Sequence, residues 1–268
     1  MSYRAEAFLL KRDPFGIAVK PEIMKSNRPG NTDKDNIRLN KFIANAGVCS
    51  RREADNLIAA GEITVNGEVI KEMGFRVSRS DDVRYNGKRL SPEKPVYVLL
   101  NKPKDFITTT DDPENRKTVM DLVKKAGDER IYPVGRLDRQ TTGLLLLTND
   151  GDLAKKLSHP SGNVKKIYRV ETNKPLSKKE IQAIQDGLKL EDGVATIDQL
   201  AVLNNERTAF GIEIHIGRNR IIRRIFEHLG YEVVKLDRVV YAGLDKYNLP
   251  RGKWRFLNEK EILKLKRL

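Results

Sequence analysis

In the middle of the chain two apolar stretches flank a polar turn. Residues 131–134 (Ile-Tyr-Pro-Val) enter it, and residues 143–148 (Gly-Leu-Leu-Leu-Leu-Thr) leave it. Uninterrupted apolar runs bounded by turn residues fit buried strands. Gly135, Arg136, Leu137 and Asp138 lie at the tip between them. Asp138 is thereby expected at a strand end, beside the core yet reachable. A carboxylate there is either a turn residue or a catalyst.

Elsewhere the pattern alternates between helical and strand periods. Residues 38–47 carry apolar side chains at 39, 42, 43 and 46, a helical spacing ended by Gly47. Ser50 and Glu53 form a capping box opening a second helix that runs to Gly61. Asn66-Gly67 and Asn86-Gly87, each between alternating residues, signal hairpins. A proline-punctuated linker follows at 91–95, and residues 96–100 read as a strand ending in Asn101-Lys102-Pro103. The pattern predicts a further strand at 106–110, a helix at 119–126 capped by Thr118, and a helix from 150 to about 158. It continues with strands at 164–172, 194–203, 210–216 and 231–241 and helices at 177–187 and 218–229. Asn258 and Glu261 cap a final helix. Strands outnumber helices without regular alternation. The fold class is therefore α+β with a mixed, largely antiparallel sheet. Four segments result: a basic tail at 1–36 without periodicity, a small helix–helix–sheet module at 37–90, the linker at 91–95, and a larger domain at 96–268.

Charge narrows the function. Lysine and arginine exceed aspartate and glutamate to give a net charge of +14. An excess this large points to a polyanionic partner, with nucleic acid favoured over a membrane surface. No run approaches the roughly 20 apolar residues of a membrane span, and a secretion signal is missing, so cytoplasmic residence is expected. One cysteine, Cys49, excludes an intrachain disulfide, and with only three scattered histidines no metal site is expected. In the small module Arg51 and Arg52 fall in the first turn of a helix, the unfavourable end for cations unless a phosphate neutralises them.

Few side chains remain for chemistry. No glycine-rich phosphate loop, nucleophile elbow or metal cluster occurs. What is left is Asp138, the strand tyrosine Tyr168, and four arginines within residues 217–224, whose mutual repulsion calls for an anion nearby. By residue type and spacing each has an ordinary structural explanation, and the choice stays open. His215-Ile216-Gly217-Arg218 is similar to the nucleotide-binding signature of class I aminoacyl-tRNA synthetases. It lacks the final histidine and the later lysine loop, so that reading is set aside.

Longer motifs carry a resemblance. Residues 134–151, built on Gly135-Arg136-Leu137-Asp138-Arg139, are very similar to the signature of RNA pseudouridine synthases of the RsuA/RluB type. Lys165–Arg169 resembles that family's tyrosine motif, residues 217–225 its arginine motif, and residues 234–238 its late leucine-containing strand. Residues 38–41, 49–54 and 63–67 resemble an S-four-like RNA-binding domain. One departure is Ile221, where many relatives carry glutamine. Asp112–Arg116 and residues 187–193 look closer to the RluB-like branch, and residues 228–238 to the RluF-like branch.

The resemblance implies that the chain isomerises a uridine of ribosomal RNA to pseudouridine without cofactor or metal. The 23S rRNA of the large subunit is favoured. The alternatives are 16S rRNA, or a non-catalytic RNA-binding assembly factor. Asp138 matches the essential aspartate, Arg223 the arginine pairing with it, and Tyr168 the residue stacking on the uracil. Leu236 and Ile222 would supply apolar walls. Arg136, Arg139 and Arg218 would contact substrate phosphates, and Arg38, Lys41, Arg51 and Arg52 would grip RNA in the small module. The target base is expected to flip out of its stack. A monomer acting on a large-subunit assembly intermediate is expected.

Overall fold

A computed structural model describes residues 36–159 and 162–268. The tail assigned to residues 1–36 lies, but for its last residue, outside the described residues.

The small module opens with β1 (Ile37–Arg38), α1 (Leu39–Asn45) and α2 (Arg51–Ala60). The Ser50–Glu53 capping box forms, and Gly61 closes α2 in the left-handed region. Five short strands follow: β2 (Ile63–Val65), β3 (Glu68–Val69), β4 (Arg76–Val77), β5 (Val83–Tyr85) and β6 (Lys88–Arg89). Both Asn-Gly pairs take positive φ at both residues, as tight hairpins require. Leu39, Phe42, Ile43, Ala54, Ile58, Ile63, Val65, Val77 and Val83 fill its core.

The linker is tied on both sides. The Glu93 backbone N–H donates to the Asn45 carbonyl at 2.8 Å, and its carboxylate accepts from the Arg130 N–H and from Asn149 Nδ2, each at 3.2 Å. Lys41 adds an ion pair to Asp152 at 2.7 Å.

The larger domain contains β7 (Tyr97–Lys102), α3 (Val119–Val123), β8 (Tyr132–Pro133), β9 (Thr142–Thr148), α4 (Gly151–Ser158), β10 (Lys166–Thr172) and α5 (Lys178–Asp186). It continues with β11 (Leu188–Leu190), β12 (Gly193–Ala195), β13 (Gln199–Val202), β14 (Ala209–Ile214), α6 (Ile221–His228) and β15 (Val233–Tyr241). It ends with β16 (Leu244–Asp245), β17 (Trp254–Phe256) and α7 (Glu259–Arg267). One sheet runs β13-β14-β10-β15-β9-β7-β17, with β8 on β9 and β16 on β15. Every pairing in it is antiparallel except β15 with β9. The α+β expectation with a largely antiparallel sheet holds.

The leucine run is explained by burial on two faces. Leu145 and Leu147 join one core with Val98, Leu100 and the inner side of α6, while Leu144 and Leu146 join a second with Leu99, α4 and α7. A strand covered on both faces has no polar side to alternate with.

Three boundaries differ from the sequence pattern. Residues 106–110 form only an isolated bridge, Ile107 to Thr118, because their polar side chains serve the neighbouring loop instead of a ladder. The strand expected at 194–203 is two strands: β12 folds back on β11 as a small hairpin, and β13 pairs with β14. The helix expected from 218 starts at Ile221, because Arg220 adopts a left-handed φ of 46° and no side chain caps the start.

Candidate active site

The apolar stretches 131–134 and 142–148 pair as β8 and β9, and the loop between them carries Asp138. Its shape is imposed from β7. Lys102 is fully buried and its ammonium donates to the carbonyls of Asp138 (3.1 Å), Arg139 (3.2 Å) and Thr141 (2.8 Å), besides its neighbour Pro103 (3.1 Å). Burial pushes this lysine down to about 8, partly offset by the charges of Asp138 and Asp105. Thr108 adds a hydroxyl that donates to the Leu137 carbonyl and accepts from its N–H. Asp105 pairs with Arg139 at 3.2 Å and accepts from Gln140. Arg139 is thus held by a carboxylate of its own protein. The loop backbone is fixed, while the Asp138 carboxylate is left free to face a cleft.

That cleft, about 180 Å³, has the sheet as its floor. Tyr168 on β10 stands directly opposite Arg238 on β15, so the two share one face. An extra residue in β15, between the partners of Ile167 and Tyr168, sets this register. Tyr168 is 8% exposed, Leu236 6% and Arg238 3%, and all three line the cleft. Gly143 brings the Asp138 strand against β15: its φ is +105°, and a Cβ there would lie 2.3 Å from the Arg238 carbonyl oxygen. Only glycine permits that approach.

The third wall is the start of α6. Ile222, Arg218 and Arg220 line the cleft there, with Arg136 on the opposite loop. Asp138 Oδ2 lies 3.9 Å from Nη1 of Arg220, which also pairs with Glu227 at 2.9 Å. Arg223, the expected partner, differs in placement. Its Nη1 donates to the Val233 carbonyl at 2.8 Å, its Nε is buried without a partner, and it is not among the residues lining the cleft. It still feels Asp138: burial and the neighbouring Arg220 pull its charged form down, and Asp138 and Glu227 support it. The physical reason for the exchange is the delayed start of α6. Arg220, turned by its left-handed backbone, reaches the cleft, while Arg223, a turn later, points back toward β15.

The anion expected for this arginine cluster is partly internal. Asp192, at the tip of the β11–β12 hairpin, pairs with Arg224 at 2.9 Å and approaches Arg218 at 3.6 Å. In the small module Arg38, Arg51 and Arg52 are exposed. Lys41 is spent on Asp152, and Arg51 donates to Asn40 Oδ1.

Known proteins are similar to this chain in sequence and fold. The family model for RNA pseudouridylate synthase matches residues 96–228, and that for the S4 domain matches residues 37–83. The chain is 42% identical over 235 residues, 86% of this chain and 96% of the other, to ribosomal large subunit pseudouridine synthase B of Bacillus subtilis. It is 36% identical over 236 residues, 87% of this chain and 79% of the other, to the dual-specificity RNA pseudouridine synthase RluF of Escherichia coli K12. The chain belongs to the RNA pseudouridine synthase family. A crystal structure of a pseudouridylate synthase superimposes with a TM-score of 0.60 at 29% identity, covering 85% of this chain and 99% of that one.

As a pseudouridine synthase the chain breaks an N-glycosidic bond and makes a C-glycosidic one. The cleft offers a carboxylate, an aromatic face, apolar walls and cations. Lys102 behind the Asp138 loop and Arg238 in the cleft escaped the sequence reading. Lys102 had a signal, a lysine closing the apolar run 96–100 directly before a proline. Arg238 sat in a quoted motif, but nothing in the alternation of β15 marks it as buried. Among the described residues no group of three or more histidine, cysteine or acidic side chains could hold a metal ion, and no helix is long and apolar enough to cross a membrane.

Proposed function

We propose that this synthase isomerises one uridine of 23S ribosomal RNA, in a large-subunit assembly intermediate, as a cytoplasmic monomer. The observation that carries the reading is the meeting of Asp138, Tyr168, Leu236 and Ile222 in one cleft of a chain 42% identical to a large-subunit synthase. Asp138 is the catalyst, acting on the sugar or the base. Tyr168 offers the face on which the flipped uracil stacks, with Leu236 and Ile222 as walls. Arg223, half-buried within the electrostatic reach of Asp138, places positive charge beside the carboxylate together with Arg220. Arg136 and Arg218 at the rim contact phosphates. Residues 37–90 grip a neighbouring stem through Arg38, Arg51 and Arg52, with Lys41 joining only if RNA displaces Asp152. Residues 91–95 join this unit to the catalytic unit, 96–268.

Pseudouridine mapping of ribosomal RNA from a strain lacking the gene tests this. A single missing pseudouridine in 23S rRNA, restored by the wild-type gene and not by Asp138→Asn, is the expected result. A site lost from 16S rRNA would replace the target, and an unchanged map would leave a non-catalytic RNA-binding role.

A further inference from the structure

The cleft contains two cations that the reading above does not use. Arg238 is 3% exposed. Its Nε donates to the Leu144 carbonyl at 2.7 Å, whereas Nη2 is buried with no partner. Its guanidinium lies over the Tyr241 ring, 4.4 Å from the centroid. Lys166, two residues before Tyr168 on the same strand face, donates to the His215 carbonyl at 2.6 Å and lies in the field of Arg238. Among the described residues neither has a carboxylate within 4.0 Å. The neighbouring Asp237 is engaged elsewhere, with Lys246, Arg251 and Thr142. The other acid near Lys166, Asp198, is paired with His215 at 2.7 Å.

A buried guanidinium beside a half-buried ammonium, neither with a counter-ion, is costly, and an unpaired guanidinium N–H adds the loss of a hydrogen bond. Such an arrangement is suited to an anion that arises on the substrate. A flipped nucleotide enters a cleft base first, leaving its phosphates at the rim. The deepest cations therefore meet the ring, not the backbone. Tyr168 and Arg238 are directly opposed across the strand pair, so a ring stacked on the one presents its edge to the other.

We propose that Arg238, backed by Lys166, is a catalytic residue that binds a carbonyl oxygen of the uracil and holds the negative charge the ring acquires in the reaction. This rests on reading the cleft as the uridine site. When the bond from N1 to the anomeric carbon breaks, its electron pair stays on the ring and spreads from N1 onto the carbonyl oxygens. The guanidinium N–H donates to one of these oxygens. The charge is discharged when carbon 5 joins the anomeric carbon, carbon 5 releases its proton, and N1 takes one up. Nothing enters or leaves in the balance. An arginine suits the task because it stays protonated when buried, and a pre-placed donor in a dry cleft needs no reorganisation.

The test compares wild type with Arg238→Met and Arg238→Lys in single-turnover reactions at saturating enzyme. Two 23S rRNA transcripts are used, one with uridine and one with 5-fluorouridine, whose more acidic ring leaves as a more stable anion. Loss of the N-glycoside is read by nuclease digestion and mass spectrometry, and RNA affinity and melting temperature are measured alongside. On uridine Arg238→Met should lose about 100-fold or more in rate, the usual cost of removing an oxyanion donor, with affinity nearly unchanged. Arg238→Lys should recover part of it. On 5-fluorouridine the deficit of Arg238→Met should shrink at least about tenfold, a ratio that a misfolded fraction or a purely structural role does not move. An equal deficit on both transcripts overturns the proposal while the functional reading stands. A wild-type enzyme inactive on the uridine transcript overturns that reading and the proposal together.

Discussion

Asp138 and Arg220 face each other across the cleft at 3.9 Å, while Arg223 is bonded to a backbone carbonyl. The two arginines contribute differently. Arg220 is 43% exposed and shared with Glu227, so its pairing with Asp138 is worth little. Arg223 is half-buried and has an Nε with no partner, so its charge acts through a less polar medium. Arg220→Gln should therefore lower the single-turnover rate less than about tenfold, and Arg223→Gln about 100-fold or more. Asp138→Asn should abolish turnover with RNA affinity kept. Rates measured side by side on one 23S transcript decide the ranking, and a larger loss for Arg220→Gln would reverse it.

Gly143 is the contact on which the parallel junction of β9 and β15 depends. With φ at +105° and the Arg238 backbone 2.3–2.8 Å from any added Cβ, alanine meets both strain and collision. Gly143→Ala should cost at least about 3 kcal/mol, from a disfavoured backbone conformation and forced strand separation. Urea unfolding would show it as a lower midpoint. A midpoint unchanged from wild type would mean the strands separate without penalty.

Lys102 should act on both stability and rate. Lys102→Met leaves the carbonyls of Asp138, Arg139 and Thr141 without their donor, and each buried acceptor left bare costs about 1–3 kcal/mol. Activity should fall at least about tenfold as the loop loosens. The pH dependence has a definite sign. Burial holds the folded-state lysine at about 8 against 10.5 in the open chain. Between these values the unfolded chain binds more protons, so stability rises with pH there. The stability of wild type relative to Lys102→Met should thus increase from pH 8 to 10 and stay level below 8. Denaturant midpoints across that range check it.

Asp237 gives the opposite dependence. Burial alone would raise its carboxyl, but hydrogen bonds from Arg251, Lys246 and Thr142 outweigh that and hold it at about 2. A folded-state value below the ordinary 3.8 stabilises the fold above pH 4, by about 2 kcal/mol, and the gain is lost as pH falls toward 2. Asp237→Asn should therefore be less stable than wild type at pH 7, with the gap closing in acid. Thermal melts at pH 7, 4 and 2.5 would reveal a constant gap if the network were not responsible.

Much of this was legible along the chain because its causes are local. The caps expected at Ser50, Thr118 and Asn258 all form, and so does one at Ser177, since each needs only residues two or three apart. Both Asn-Gly turns form for the same reason. The four leucines of β9 announced a strand buried on both faces, and the motif around Asp138 placed a carboxylate at its end. The family resemblance supplied the reaction.

What the one-dimensional pattern could not decide depends on neighbours far apart in sequence. The arginine that meets Asp138 follows from where α6 begins, which a left-handed Arg220 sets and no capping side chain announces. The hairpin that sends Asp192 to Arg224 and Arg218 is visible only once β11 and β12 pair. Lys102 reaches three carbonyls about forty residues away, and Arg238 comes to face Tyr168 through a strand register with one extra residue. Sequence alone determined most of the elements and set a carboxylate between two buried strands, because hydrogen-bonded turns and burial periods are short-range. Tertiary structure alone decided which charges share the cleft, because only packing brings strands and helix starts within a few ångströms.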